Sequence, residues 1–310
     1  MAHPISGVWV PALTPFDRHL EPDAARFIAY CRWLLERGAN GLAVFGTTSE
    51  ATSLSLVERQ SLLEKLIAAG IAPAKLLPGT GLPALPETVA LTRHAVANGC
   101  AGVLMLPPFY YKNLSDDALA GAYGETIERV GDSRLRLYLY HIPQMSGVPI
   151  TLGVIERLLR RYPETVVGIK DSSGNWENTK AVLSHFPQLT TFPATESRLL
   201  DGMALGAAGC ISASANVNIA MIRDLIDALL AKDKSAAAKQ LTVSAVRQVM
   251  EKVPVIAAMK ALFARATGAA DWAIVRPPLS GLDEALLAKL QADLAAAGFD
   301  VATALQGLPR

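Results

Sequence analysis

Cysteine is scarce in this chain: Cys31, Cys100 and Cys210 are the only three, and they stand far apart. That number and spacing suit neither a disulfide framework nor a zinc site of the CxxC kind, so a reducing compartment is the simpler setting. Long apolar runs are missing as well. No stretch approaches the roughly 20 residues of a spanning helix, and the start, MAHPISGVWVPALTPF, lacks a basic segment followed by an apolar one. A cytoplasmic protein without a membrane partner is expected. Charged residues make up 18% of the chain, the net charge is +1 and basic blocks are absent, which leaves no electrostatic footprint for nucleic acid. Neither a P-loop nor a GxGxxG after the first apolar run occurs, which argues against nucleotide and dinucleotide chemistry. His3, His19, His94, His141 and His185 form no convincing ligand set, so no metal is expected. A small organic ligand remains the default.

What the chain has in quantity is alternation. Eight short runs, GVWVPAL, GLAVF, KLLPGTG, GVLMLPP, RLYLYHIP, VVGIKD, TTFPA and GCISASAN, are separated by longer amphipathic segments such as DAARFIAYCRWLLERG and LVERQSLLEKLIAAG. Gly38, Gly70, Gly99 and Gly131 fall just after four of these segments, where a left-handed residue stops a helix. Runs that are apolar throughout indicate a parallel sheet covered on both faces, and eight βα units of this size predict a closed barrel. The fold class is therefore α/β, a (β/α)8 TIM barrel over residues 1–225. Only helical patterns follow, which predicts a C-terminal helical extension over residues 226–310.

Active sites of such barrels lie at the C-terminal ends of the strands, so the polar residues that end each run matter. Lys170 closes VVGIK. A lysine at a strand end usually snorkels to solvent or pairs with a neighbour such as Asp171. In a poorly solvated barrel mouth it becomes a nucleophile toward carbonyl carbon. Gly46, Thr47 and Thr48 end the second run with hydroxyls and backbone N–H groups suited to a carboxylate, or to capping the helix after Ser55. Tyr140 and His141 end the fifth run, and Tyr111 lies in a third cluster, PPFYYKN. Each aromatic either packs or passes protons.

Together these segments resemble the dihydrodipicolinate synthase and N-acetylneuraminate lyase family of Schiff-base pyruvate lyases and aldolases. PALTPF, GTTSEA, PPFYY, YHIPQMSG, GIKDSSGN and GCISASANV occur in the family's order along essentially the whole chain. The resemblance implies that Lys170 forms an imine with pyruvate or another 2-oxo acid, with no cofactor beyond that covalent link. It implies Tyr140 as proton shuttle, Thr47 and Thr48 as carboxylate holders, and Tyr111 as a tyrosine that crosses a dimer interface to join Thr47 and Tyr140. Gly209 and Ile211 match the segment whose backbone borders the pyruvate methyl. A homo-oligomer, a tetramer built as a dimer of dimers, is the implied assembly.

Departures from the family pattern narrow the substrate. Met145 stands where dihydrodipicolinate synthases carry the arginine that grips the aldehyde's carboxylate, and a thioether does not replace a bidentate guanidinium. His141 replaces the usual asparagine, Ser49 a usual glycine, and Ala194 another. Ser197 takes the place of the second acidic residue of sialic acid lyases, which lowers sialic acid as a substrate. Ser172, Glu196, His141 and Met145 are expected around the aldehyde half. The expected reaction is aldol cleavage or formation on a 2-keto-3-deoxy or 4-hydroxy-2-oxo acid, with a hydroxylated or less acidic aldehyde preferred to aspartate semialdehyde. Dihydrodipicolinate synthesis, sugar-acid dehydration and a non-catalytic keto-acid-binding barrel are the alternatives.

Overall fold

The computed structural model describes residues 5–310, so His3 lies outside the described residues. The regular strands are β1 Gly7–Val10, β2 Gly41–Leu42, β3 Val103–Met105, β4 Leu137–His141, β5 Val166–Asp171, β6 Thr190–Pro193 and β7 Gly209–Cys210, all paired in parallel. The run at 75–81, expected as a strand of its own, pairs only through single bridges, Leu76 to Leu42 and Gly79 to Leu104. Pro78 interrupts it because proline has no ladder N–H to donate. Its neighbours still bond on both sides: Leu77 and Gly79 N–H donate to Leu42 and Val44 carbonyls, and Thr80 N–H to Leu104.

Those bonds join β2–β1–β7 to β3–β4–β5–β6 on one side. On the other, Ala208 N–H donates to Thr191 at 3.0 Å and Ile211 N–H to Pro193 at 3.2 Å. Backbone hydrogen bonds thus run round the whole ring of apolar segments, and the sheet is a closed barrel. Several positions in the ring have room for glycine alone. At Gly209 φ is +138° and an added Cβ would lie 2.0 Å from the Gly7 carbonyl oxygen, so β7 can approach β1 only without a side chain.

Helices cover the outside, and their ends follow the expected chemistry. Ser55 caps Leu56–Ala68 in a capping box with Glu58, Ser115 caps Asp116–Val130, and Thr151 caps Leu152–Arg161. All four glycines named above adopt positive φ behind their helices. Trp9, Leu77, Leu104, Tyr138, Tyr140 and Phe192 pack together in one interior cluster, and the larger outer cores lie between sheet and helices.

The expected boundary at 225/226 falls inside a helix, Ala215–Leu230, which is non-helical only at Asn218 and packs on β1. The extension proper begins beyond it with Ala236–Met250, Val255–Thr267 and Glu284–Ala296. Its Val243, Leu262 and Leu287 belong to the same core as Val8 and Val10 of β1, because the apolar faces of these helices close over the barrel wall. No helix among the described residues is long and apolar enough to cross a membrane.

Candidate active site

Strand register assembles the site. Tyr140 of β4 is the ladder partner of Lys170 in β5, and Lys170 in turn partners Phe192 of β6. Neighbours in a parallel ladder share a face, so the lysine and tyrosine point together into the barrel. Both are buried, and Lys170 Nζ lies 4.3 Å from the centre of the Tyr140 ring. Tyr140 Oη is 3.1 Å from Thr47 Oγ1, a hydrogen bond in which either hydroxyl can donate. Amine, phenol and hydroxyl therefore form one short line across three strand ends.

The turn that delivers Thr47 is held from both sides. Ser49, in the place of the usual glycine, is fully buried; its Oγ donates to the Ala12 carbonyl at 2.6 Å, and its own carbonyl accepts from Thr14 Oγ1 at 2.8 Å. Glu50 takes a left-handed conformation, and its fully buried carboxylate pairs with Lys260 of the extension and accepts from the Arg276 N–H at 2.9 Å. Thr48 is buried beside Thr47, and no hydroxyl of either threonine caps the helix, which Ser55 does instead.

One cavity borders this line, and another lies beside the ends of β5 and β6. The first, of about 320 Å³, is lined by Thr47, Tyr140, Met145, Leu104, Phe109 and Arg59, among others. Lys170 is not in its wall, whereas Tyr140, whose ring the amine faces, is. The other, about 480 Å³ and more polar, is lined by Ser172, Ala194, Thr195, Ser197, Arg198 and Arg247, among others.

Of the remaining expected residues, two line these cavities. Met145 is largely exposed at the first cavity, and Ser172 lines the second with its Oγ buried and unpartnered. Ile211 is buried beside Pro193, and Gly209 sits in β7. His141 is buried, with Nδ1 accepting from the Ile150 N–H at 3.0 Å, so the neutral ring carries its proton on Nε2. Glu196 lines neither cavity. Its fully buried carboxylate accepts from Ser212, Ser214 and Asn218, while Arg247 donates to both serines at 3.1 and 3.2 Å. Tyr111 is 73% exposed, with its ring against Tyr110, and does not reach Thr47 or Tyr140 within one chain.

Burial lowers the His141 pKa, and the charge of Asp171 opposes that shift. The folded protein then binds fewer protons than the unfolded one just below the ordinary value of 6.5, so stability falls as pH drops through that window. His141→Asn keeps an acceptor for Ile150 and removes the titration. Its melting temperature is expected to fall less than that of the wild type between about pH 7 and pH 5. Parallel losses in the two proteins would take His141 out of the acid response.

The profile of the dihydrodipicolinate synthetase family matches residues 4–297. The chain belongs to that family. It is 35% identical to an uncharacterized DapA-like lyase of Chloroflexus aurantiacus over 93% of this chain and 96% of that one. Among solved structures, dihydrodipicolinate synthase from Agrobacterium tumefaciens superposes with a TM-score of 0.86 at 30% identity, covering 94% of this chain and 99% of that one. A chloride-inhibited dihydrodipicolinate synthase from Acinetobacter baumannii, complexed with pyruvate, gives 0.84 at 25% identity over 96% and 100%. Membership makes the protein a lyase of the class I aldolase type on a TIM barrel, the expectation drawn from Lys170 and its companion motifs.

Sequence reasoning missed Arg59, Arg247 and the Glu50–Lys260 pair. Arg59 follows Glu58, the capping-box residue, and its place in the helix turns it inward, a feature that periodicity would have supported. Arg247 and Lys260 sit on helices of the extension, far along the chain from their partners, and no local pattern marks them.

Proposed function

We propose that the protein joins or separates pyruvate and an aldehyde through an imine on Lys170, acting on a 4-hydroxy-2-oxo or 2-keto-3-deoxy acid in the cytoplasm. The observation that carries this reading is the line from Lys170 Nζ over the Tyr140 ring to Thr47 Oγ1. Lys170 attacks C2 of the oxo acid, and the resulting carbinolamine loses its hydroxyl as water once Tyr140 supplies a proton. The iminium withdraws electrons, so the C3–C4 bond breaks as the C4 hydroxyl proton passes to the Tyr140 phenolate. The aldehyde leaves and an enamine remains. Protonation at C3 and hydrolysis then release pyruvate and return the amine. Thr47 relays protons to Tyr140, and the Thr47–Thr48 turn faces the C1 carboxylate. A second reading, dihydrodipicolinate synthesis, draws support from the likeness to the A. tumefaciens synthase, while Met145 in place of a guanidinium counts against it.

Pyruvate with borohydride is expected to leave a reduced pyruvyl group on Lys170, read by peptide mass spectrometry. A folded protein labelled elsewhere, or not at all, would overturn the reading.

The same reading gives Tyr111 a task. Tyr110 and Tyr111 expose 74% and 73% of their surface, unusual for large aromatics, which supports a second copy of the chain covering them. The assembly is a homo-oligomer, a tetramer as a dimer of dimers. Light scattering on active protein is expected to give that mass, and Tyr111→Ala to shift it toward smaller species. Full activity from a monomer would exclude the arrangement.

A further inference from the structure

Two residues around the turn that carries Thr47 hold a backbone conformation that side chains resist: Glu50 has a φ of +57°, and Leu20, in the loop after β1, has +65°. Left-handed backbone outside glycine costs free energy and persists only where its surroundings hold it. Arg276 of the extension reaches both. Its backbone N–H donates to Glu50 Oε2 at 2.9 Å, and its Nε to the Leu20 carbonyl at 2.7 Å. Nη1 donates to the Ser53 carbonyl at 2.7 Å and to Glu58 Oε2 at 3.0 Å, and Nη2 bonds the other Glu58 oxygen. The guanidinium also lies 4.8 Å from the centre of the Phe16 ring.

These partners stand at least 218 residues from Arg276 along the chain, yet they surround one place. They are the loop after β1, the turn Ala51–Ser53 that follows Glu50, and the first turn of the helix Leu56–Ala68. The fork on Glu58 fixes direction as well as distance, which a single charge does not. Glu58 in turn accepts the Ser55 N–H at 2.7 Å within the capping box. Lys260 closes the ring from the other side, because it pairs with Glu50 and donates to the Ile274 carbonyl at 2.8 Å, two residues before Arg276.

We propose that Arg276 is a positioning residue for the imine reaction: from the C-terminal extension it fixes the turn that sets Thr47 Oγ1 3.1 Å from Tyr140 Oη. Its bonds among the described residues include neither Tyr140 nor Lys170, so its effect passes through Thr47. This rests on the imine reading at Lys170.

The test measures the maximal rate of quenched borohydride trapping of pyruvate on Lys170, in Arg276 variants alone and combined with Thr47→Val. Arg276→Gln is expected to slow trapping about tenfold, within the roughly 10²-fold that a misplacement of about 1 Å costs. Arg276→Lys keeps the charge without the fork and is expected to recover little of that loss. Beside Thr47→Val, Arg276→Gln is expected to slow trapping by less than about twofold, because the hydroxyl it positions is already gone. Equal losses in both backgrounds make Arg276 merely structural and overturn the proposal, as does an unchanged rate in folded Arg276→Gln. Glu58→Gln keeps a capping-box residue, removes the charge that the fork grips, and stands in should Arg276→Gln not fold. It is expected to slow trapping about threefold, the scale of a partly shielded ion pair, and only while Thr47 is present. A loss that persists beside Thr47→Val overturns the proposal here too. Leu290→Ala, a core change in Glu284–Ala296, is expected to lower the melting temperature without slowing trapping by the folded protein. Slowing equal to that of Arg276→Gln would assign the effect to stability and overturn the proposal. A wild type that pyruvate fails to label loses the imine reading and this proposal with it, whereas the other outcomes bear on Arg276 alone.

Discussion

Tyr140→Phe is expected to leave pyruvate binding in place and to slow imine formation and turnover by about 10²- to 10⁴-fold, the usual contribution of a positioned general acid–base. The geometry explains why one oxygen matters so much. The phenol oxygen is hydrogen-bonded to Thr47 Oγ1 at 3.1 Å, and the ring lies 4.3 Å from the amine that must lose a proton. Phenylalanine keeps the ring and its packing, so the fold and the cover over Lys170 persist. Thr47→Val is expected to slow the same steps less, because Tyr140 keeps its own proton and loses only the partner that orients it. Stopped-flow or quenched borohydride trapping with pyruvate separates imine formation from later steps. A Tyr140→Phe rate within about threefold of the wild type would remove Tyr140 from proton transfer, since that is far below the general acid–base range. Lys170→Ala serves as the blank, in which no pyruvyl label at this position can form.

Lys170 was legible in the sequence because it breaks a pattern. Val166, Val167 and Ile169 announce a strand buried on both faces, and an amine ending such a strand demands a reason. The reason is the register, which puts Tyr140 beside it. The barrel was legible for a related cause: a parallel sheet covered on both faces leaves little alternation, so each strand reads as an unbroken apolar word. The third word, at 75–81, was read as a strand and is only bridged, because a single proline sets the ladder aside without moving the segment from its place in the ring.

Glu196 shows where residue type misleads. An acidic side chain at a strand-end loop suggests contact with substrate hydroxyls, yet here it accepts from Ser212, Ser214 and Asn218 within the chain. Nothing in FPATESRLL distinguishes the two uses, because the donors come from the segment that follows β7. Arg247 then bonds the same serines from the extension. The extension is thus tied to the loops at the mouth of the barrel as well as to its outer wall, and the boundary drawn from periodicity separated groups that hydrogen bonds connect.

The tie with the largest energetic consequence is Lys260 to Glu50. Both side chains have no exposed surface, and Lys260 Nζ also donates to the Ile274 carbonyl at 2.8 Å and lies 4.4 Å from the centre of the Phe16 ring. Burial pushes the ammonium's pKa down and Glu50 pulls it up, so each charge depends on the other. Lys260→Met fills similar space but leaves a carboxylate without its counter-charge, and such a loss costs about 3–5 kcal/mol. The denaturation midpoint is therefore expected to drop sharply. Lys260→Met combined with Glu50→Gln removes both charges and is expected to recover a good part of the loss, because much of the single mutant's cost is the stranded charge. Function supplies a second readout. Glu50 follows Thr47–Thr48 after one residue, so a loosened Glu50 is expected to slow pyruvate trapping on Lys170 under conditions where the variant is still folded. If Lys260→Met lowers stability by less than about 1 kcal/mol, the range of an exposed pair, the ion pair does not hold the turn. The hydrogen bonds of Ser49 to Ala12 and Thr14 would then have to position Thr47 without it.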